Sequence, residues 1–141
     1  MAAHGRTLDT KASPEQVWRI WSDVSTWPEW NPDVIAVAID GPFASGTTGR
    51  MTTKAGGTHA ITLRDVQPGR SFALETAPVP LGRFTFACEV RPAEPGASTI
   101  SQSVTIGGPL GGLYSAMMGT RIAAGFEPLL GGLKAAAEQP S

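Results

Sequence analysis

The period at which apolar residues recur changes once along the chain, near residue 113. Before that point apolar and polar residues alternate in short runs, and after it apolar residues recur every three or four positions. The first pattern predicts half-buried strands and the second predicts a helix. An apolar sheet face and an apolar helical face must cover each other, so the sequence predicts an α+β fold in which an antiparallel sheet packs on a C-terminal helix.

Turn-forming residues divide the alternating part into seven runs. Asp40-Gly41-Pro42, Pro68-Gly69 and Pro95-Gly96 are the clearest of the turns. The predicted strands are residues 6–12, 35–39, 47–54, 58–66, 71–76, 83–91 and 98–106. Short strands joined by tight turns predict one curved, seven-stranded antiparallel sheet.

A short helix is predicted between the first two strands, over residues 14–23. Ser13 is a favourable N-cap, Pro14 suits the first helical position, and Gln16 completes a capping box with Ser13. One apolar helical face follows, formed by Val17, Ile20, Trp21 and Val24. Two prolines in the next segment, 27–32, limit it to a turn or a second short helix.

The C-terminal segment is predicted to be one long helix or two helices end to end. Its apolar positions are Leu113, Met117, Met118, Ile122, Phe126, Leu129, Leu130 and Leu133. Several glycines lower its helix propensity, and Pro128 is expected to kink or break it. We therefore expect packing against the sheet to hold this helix in place.

Composition excludes several classes of function. A chain of 141 residues fits a single domain, spanning residues 1–141. Charged residues make up 16% of the chain and give a net charge of −1. They form no basic stripe, so nucleic acid is not an expected partner. Cys88 is the only cysteine, which excludes an internal disulfide and favours a cytoplasmic location. No apolar stretch approaches the ~20 residues of a membrane span, so stable membrane insertion is not expected. Nothing in the sequence indicates the oligomeric state.

The inward face of the sheet, identified by alternation, is almost wholly apolar. Its predicted members are Ile35, Val37, Met51, Ile61, Leu63, Phe72, Leu74, Phe84, Phe86, Ile100 and Val104. His59, Cys88 and Gln102 share that face, and an apolar wall with few polar groups is typical of a ligand pocket. Two structural alternatives remain open: His59 faces water, and Gln102 satisfies a backbone group.

Two further groups of residues are candidates for ligand contact. Trp18, Trp21, Trp27 and Trp30 fall within thirteen residues, where they form either part of the core or a ligand gate. On the C-terminal helix, Tyr114, Met118 and Arg121 share one row, next to Met117. Arg121 either binds a polar group of the ligand or extends into solvent, and the two methionines suit an adaptable lining as well as an ordinary core.

Motifs for several familiar chemistries are absent. There is no HExxH or GxSxG, and the chain has only two histidines, His4 and His59, so neither a metal site nor a cofactor is predicted. The glycine-rich turn at 107–112 lacks the lysine and the spacing of a phosphate loop, and we interpret it as a hinge.

Three stretches of the chain resemble the START-like or SRPBCC superfamily, and in particular its polyketide cyclase/dehydrase and lipid-transport branch. They are ASPEQVWRIWSDVSTWPEWNP at 12–32, RDVQPGR at 64–70 and GLKAAAE at 132–138. The resemblance implies a helix-grip fold, in which the sheet grips the last helix, and a cavity for a hydrophobic ligand between them. It does not imply one reaction, because this fold hosts carriers, receptors and cyclases.

Three functions follow as alternatives. The first is binding of a small hydrophobic molecule, such as a lipid or polyketide, for transport or sensing. Its expected contacts are Trp21, Trp27, Trp30, Met51, His59, Leu63, Phe72, Phe86, Gln102, Tyr114, Met117, Met118 and Arg121. The second is a polyketide cyclase or dehydratase that uses His59, Tyr114 or Arg121 in proton transfer. The third is a protein-interaction module with a filled interior.

Overall fold

The computed structural model describes residues 3–54, 57–77 and 81–139. Seven strands are present: β1 (Ala3–Thr10), β2 (Val34–Ile39), β3 (Thr48–Thr53), β4 (Gly57–Gln67), β5 (Ser71–Thr76), β6 (Arg83–Pro92) and β7 (Ser98–Gly107). The helices are α1 (Pro14–Ser22), α2 (Trp27–Trp30), α3 (Gly111–Ala124) and α4 (Phe126–Glu138), with a single 3-10 turn at Val24–Thr26. The predicted α+β class and its helix-grip arrangement are confirmed.

All seven strands form one antiparallel sheet in the order β1-β7-β6-β5-β4-β3-β2. The first strand therefore pairs with the last strand at one edge of the sheet. The capping box predicted before α1 is also present, since Ser13 and Gln16 bond to each other's backbone N–H groups at 3.2 and 2.7 Å. Helix α1 contacts β6 and α4, and α2 contacts β2 and α4.

A bulge in β2 reverses one predicted orientation. The register shifts between Val34 and Ala36, so Val34 and Val37 face inward opposite Thr53 and Met51 while Ile35 faces out. Ile35 is 54% exposed, although simple alternation predicted it on the inward face. A bulge adds one residue to one strand only, and alternation in a sequence cannot detect it.

The C-terminal helix is bent into two pieces, and the bend lies at Gly125 instead of at Pro128. The N–H of Gly125 bonds to the carbonyls of Arg121 and Ile122, and α4 begins at Phe126. Pro128 thus lies in the first turn of α4, where its missing N–H removes no bond within that helix. The junction between the two helices therefore lies three residues before the proline, at Gly125.

Helix α3 lies against β7 and β1 through a stripe of small residues. Gly111, Ser115, Gly119 and Ala123 are buried and spaced four apart, so they form one face of the helix. A Cβ at Gly111 would lie 2.7 Å from the carbonyl oxygen of Ile106, and one at Gly119 would collide with the imidazole of His4. The small residues therefore allow the helix axis to approach the sheet edge closely.

Helix α4 closes the fold through a carboxylate that ties it to the end of β1. The Glu138 Oε2 atom accepts hydrogen bonds from Lys134 Nζ at 2.7 Å, the Lys11 backbone N–H at 2.9 Å and the Thr10 hydroxyl at 2.7 Å. The bonds from Lys134, Lys11 and Thr10 together lower the pKa of Glu138 from 4.5 to about 2. They favour the ionised carboxylate in the folded state.

This carboxylate predicts a pH dependence of stability. The pKa of Glu138 is lower in the folded chain than in the unfolded chain, so its contribution is present above about pH 4.5 and is lost as the pH falls toward about 2. The Glu138→Gln variant is expected to show a shallower loss of stability over that interval. Urea unfolding at several pH values would measure it, and parallel profiles for the two proteins would contradict the assignment.

Candidate functional site

The inward face of the sheet carries both fully buried and half-buried side chains. Leu63, Ile100 and Val104 are fully buried. Several inward-facing or helix side chains are half-buried: Val37, Ile39, His59 and Phe86 from the sheet, and Tyr114, Met118 and Ile122 from α3. We call the region between these sheet and helix side chains the recess.

Strand register places the sheet residues of the recess in separate rows. His59 pairs with Met51, which pairs with Val37, whereas Phe86 pairs with Leu74. Phe86 also contacts Phe126 at the start of α4, with ring centroids 6.2 Å apart. The sheet side of the recess therefore comes from β2, β4 and β6.

Helix α3 turns one flank toward the recess. At about 100° per residue, Tyr114, Met118 and Ile122 lie beside the small-residue stripe that contacts β7 and β1. Met117, one position away from Met118, is 64% exposed and lies on the outer face of the helix. Arg121 is also exposed, at the outer edge of the recess. Of the four helix residues predicted to contact a ligand, Tyr114 and Met118 border the recess.

His59 supplies an unsatisfied polar atom in this apolar wall. Its Nδ1 atom is buried and has no hydrogen-bond partner within the described residues. Most buried polar atoms in proteins have a partner, because losing hydrogen bonds to water costs about 1–3 kcal/mol. The imidazole therefore has an unused hydrogen-bonding position beside Met51.

The tryptophan candidates form a packed aromatic cluster with Phe72. Trp21 contacts Phe72, with centroids 5.3 Å apart, and Trp27 contacts the same ring at 6.1 Å. Trp27 Nε1 donates to the carbonyl of Trp21 at 2.9 Å, and Trp30 Nε1 donates to Thr26 at 3.2 Å. With Trp21 fully buried, these side chains and Leu63 belong to the core. We leave Trp21, Trp27, Trp30, Leu63 and Phe72 out of the recess.

Gln102 and Cys88 are buried on the same inward face, one row farther from the recess than Phe86. Burial raises the pKa of the Cys88 thiol far above its usual range, so the thiol stays protonated and is a poor nucleophile. Gln102 faces inward between Ile100 and Val104, as alternation predicted.

An open groove lies on the flank of α3 away from Tyr114 and Met118. It encloses about 570 Å³ and is lined by His4, Ile106, Gly107, Gly108, Gly111, Gly112, Ser115, Ala116 and Thr120. His4 Nε2 and Ser115 Oγ share a hydrogen bond of 3.0 Å within it. None of the predicted ligand contacts lines this groove, which we call the outer groove.

Sequence reasoning missed the outer groove because the first predicted strand began at residue 6, after His4, whereas β1 begins at Ala3. The signal that could have found it is the spacing of Gly111, Ser115 and Gly119, four residues apart, which indicates a close helix contact. A partner for that contact cannot be identified from local pattern, because His4 and Ser115 are 111 positions apart.

The described residues contain no group of three or more histidine, cysteine, aspartate or glutamate side chains that could hold a metal ion. No helix in 3–54, 57–77 or 81–139 is long and apolar enough to cross a membrane.

Comparison with known sequences identifies one matching family. A sequence model described as polyketide cyclase/dehydrase and lipid transport matches residues 4–138. No curated protein matches the chain.

Solved structures share the fold at low sequence identity. A truncated norcoclaurine synthase from Thalictrum flavum has a TM-score of 0.75 at 14% identity, covering 99% of this chain and 95% of that one. A START superfamily protein from Mycobacterium smegmatis has a TM-score of 0.76 at 17% identity, covering 97% of each chain. DynU16, from the dynemicin biosynthetic locus, has a TM-score of 0.74 at 16% identity, covering 97% of this chain and 47% of that one. At these identities the similarity concerns the fold alone.

Proposed function

The chain belongs to the polyketide cyclase/dehydrase and lipid-transport family, and on that premise we propose that it binds a small hydrophobic molecule in the recess between β2–β6 and α3. The bound molecule would be a lipid or a polyketide, and binding would serve transport or sensing. Val37, Met51, Phe86 and Met118 would supply apolar contacts.

The observation that carries this proposal is the buried Nδ1 atom of His59, which has no hydrogen-bond partner among residues 3–54, 57–77 and 81–139. It lies in a wall whose other members are apolar, and a ligand with one carbonyl or hydroxyl group would satisfy it. Pockets for small molecules commonly combine an apolar lining with a few such polar groups.

Native mass spectrometry of the freshly purified protein tests the proposal. We expect a fraction of the protein to carry one small apolar molecule, which extraction and mass measurement would identify by class. The His59→Leu variant is expected to bind the same molecule about 3- to 10-fold more weakly, which corresponds to the loss of one hydrogen bond.

The stability of that variant separates ligand binding from a structural role. Because Nδ1 makes no bond within the described residues, we expect His59→Leu to unfold at the same urea concentration as the wild type or a higher one. Unaltered binding by the variant, or retention of no apolar molecule by the wild type after addition of fatty acids and aromatic polyketides, would refute the proposal.

His59 also favours a second candidate, a cyclase or dehydratase. An imidazole with an unpartnered nitrogen in an apolar wall can accept a proton from a bound poly-ketone, and Tyr114 borders the same recess. Arg121 is exposed and would act only at the edge of the recess. Formation of a cyclised or dehydrated product from an added poly-ketone, abolished in His59→Leu, would identify an enzyme. Binding without product would identify a carrier or sensor.

A further inference from the structure

Three large apolar side chains are exposed beside the start of α3. Leu81, Leu113 and Met117 are 60%, 54% and 64% exposed, and Leu113 and Met117 lie one turn apart on the outer face of the helix. The carbonyl of Leu81 accepts the N–H of Leu110 at 2.9 Å, which places the turn before β6 next to the turn before α3. We call these three side chains the apolar rim. Exposed apolar groups that lie together often mark an interaction surface.

Two exposed arginines lie close in sequence to the apolar rim. Arg83 follows Leu81 by two positions and Arg121 follows Met117 by one helical turn. Residues 76–88 and 95–126 contain no aspartate or glutamate, and Glu75, which pairs with Thr85 beside Arg83 in the sheet, is ion-paired with Arg64 at 3.7 Å. Within the part of the chain that the structure describes, neither Arg83 nor Arg121 forms an ion pair. An apolar surface flanked by unpaired arginines complements an anionic lipid surface.

We propose that the apolar rim rests on an anionic lipid membrane, with Leu81, Leu113 and Met117 among the headgroups and Arg83 and Arg121 against lipid phosphates. The benefit of this contact rests on the proposed function, because it brings the flank of α3 that borders the recess close to a source of apolar molecules. A second copy of the chain fits the same surface less well. A symmetric contact would bring each arginine close to those of the other copy, and like charges placed together oppose association.

Co-sedimentation with vesicles tests the proposal, using phosphatidylcholine vesicles with and without phosphatidylserine. We expect the full chain to sediment with vesicles that contain phosphatidylserine and to be released as salt rises. The affinity of the double variant Leu113→Ser/Met117→Ser for the vesicles is expected to be at least about tenfold lower, because its apolar contact area is lost. Arg121→Glu is expected to weaken binding to the anionic vesicles selectively.

Ile35→Ser is the matched control, since Ile35 is 54% exposed on β2, outside the apolar rim. It should bind vesicles like the wild type. Equal binding by all variants, no binding by the wild type, or a solution dimer that the double variant abolishes would overturn the proposal. Ligand retention is measured separately by native mass spectrometry, so a failure of docking with retention intact would leave the proposed function standing.

Discussion

The Gly132→Ala variant is expected to be less stable than the wild type by about 1–3 kcal/mol, whereas Gly131→Ala is expected to be more stable by up to about 1 kcal/mol. Both glycines are inside α4, so alanine improves helix propensity equally at each. The two stability changes differ in sign because the two new methyl groups have different neighbouring atoms. A Cβ at Gly132 would collide with the carbonyl oxygen of Trp30 and lie 3.0 Å from its carbonyl carbon, while nothing lies within 4 Å at Gly131.

The collision at Gly132 cannot be relieved cheaply, because the obstructing atoms are backbone atoms of α2. That short helix is held by the bond from Asn31 N–H to the Trp27 carbonyl at 2.9 Å and by the buried rings of Trp27 and Trp30. Moving α4 away would open the core around Leu133, which is fully buried. Overpacking should therefore outweigh the gain in helix propensity.

Urea unfolding, monitored by circular dichroism, would measure the free energy of unfolding of the two variants. Their midpoints should move in opposite directions with unchanged slopes, since neither change alters the surface exposed on unfolding. A shift of the same sign and size in both variants would mean that α4 does not lie against the Trp30 backbone. The comparison thus tests the position of α4, on which the other packing arguments depend.

Local sequence patterns predicted most of the fold because their causes are local. The capping box at Ser13 requires only residues 13–16, and the alternation in β7 requires only its own ten residues. The chain order of these elements then resembles a known family closely enough to imply the helix-grip arrangement. Errors arose where a backbone irregularity intervenes, as at Ile35 in the β2 bulge and at Gly125 between α3 and α4.

The candidate site was less predictable, because it depends on how far a helix is rotated. Met117 and Met118 are both apolar and adjacent, and a periodicity of three or four residues allows either to face the sheet. The small residues Gly111, Ser115 and Gly119 set the rotation of α3 about its axis, since they permit close contact with β7 and the imidazole of His4. That contact turns Met118 toward the recess and Met117 toward solvent, and it depends on residues that are distant in sequence.

Of three tryptophan substitutions in α3, at Ala116, Met117 and Met118, only the one at Met118 is expected to disrupt ligand binding. Met118→Trp should lower the affinity for an apolar ligand at least about tenfold, because the indole would occupy space in the recess that the ligand needs. Met117→Trp should bind like the wild type, since Met117 lies on the outer face. Ala116→Trp should also bind normally, because Ala116 lines the outer groove.

The three positions face three different surroundings on one helix, so each variant is a control for the others. Urea unfolding would first establish that all three remain folded, and native mass spectrometry would then compare retention of the same molecule. Loss of binding in Ala116→Trp alone would place the ligand in the outer groove, next to His4 and Ser115, and would remove the recess from the proposal. Equal binding in all three would exclude a site on either flank of α3, because a ligand held there cannot share its space with an indole.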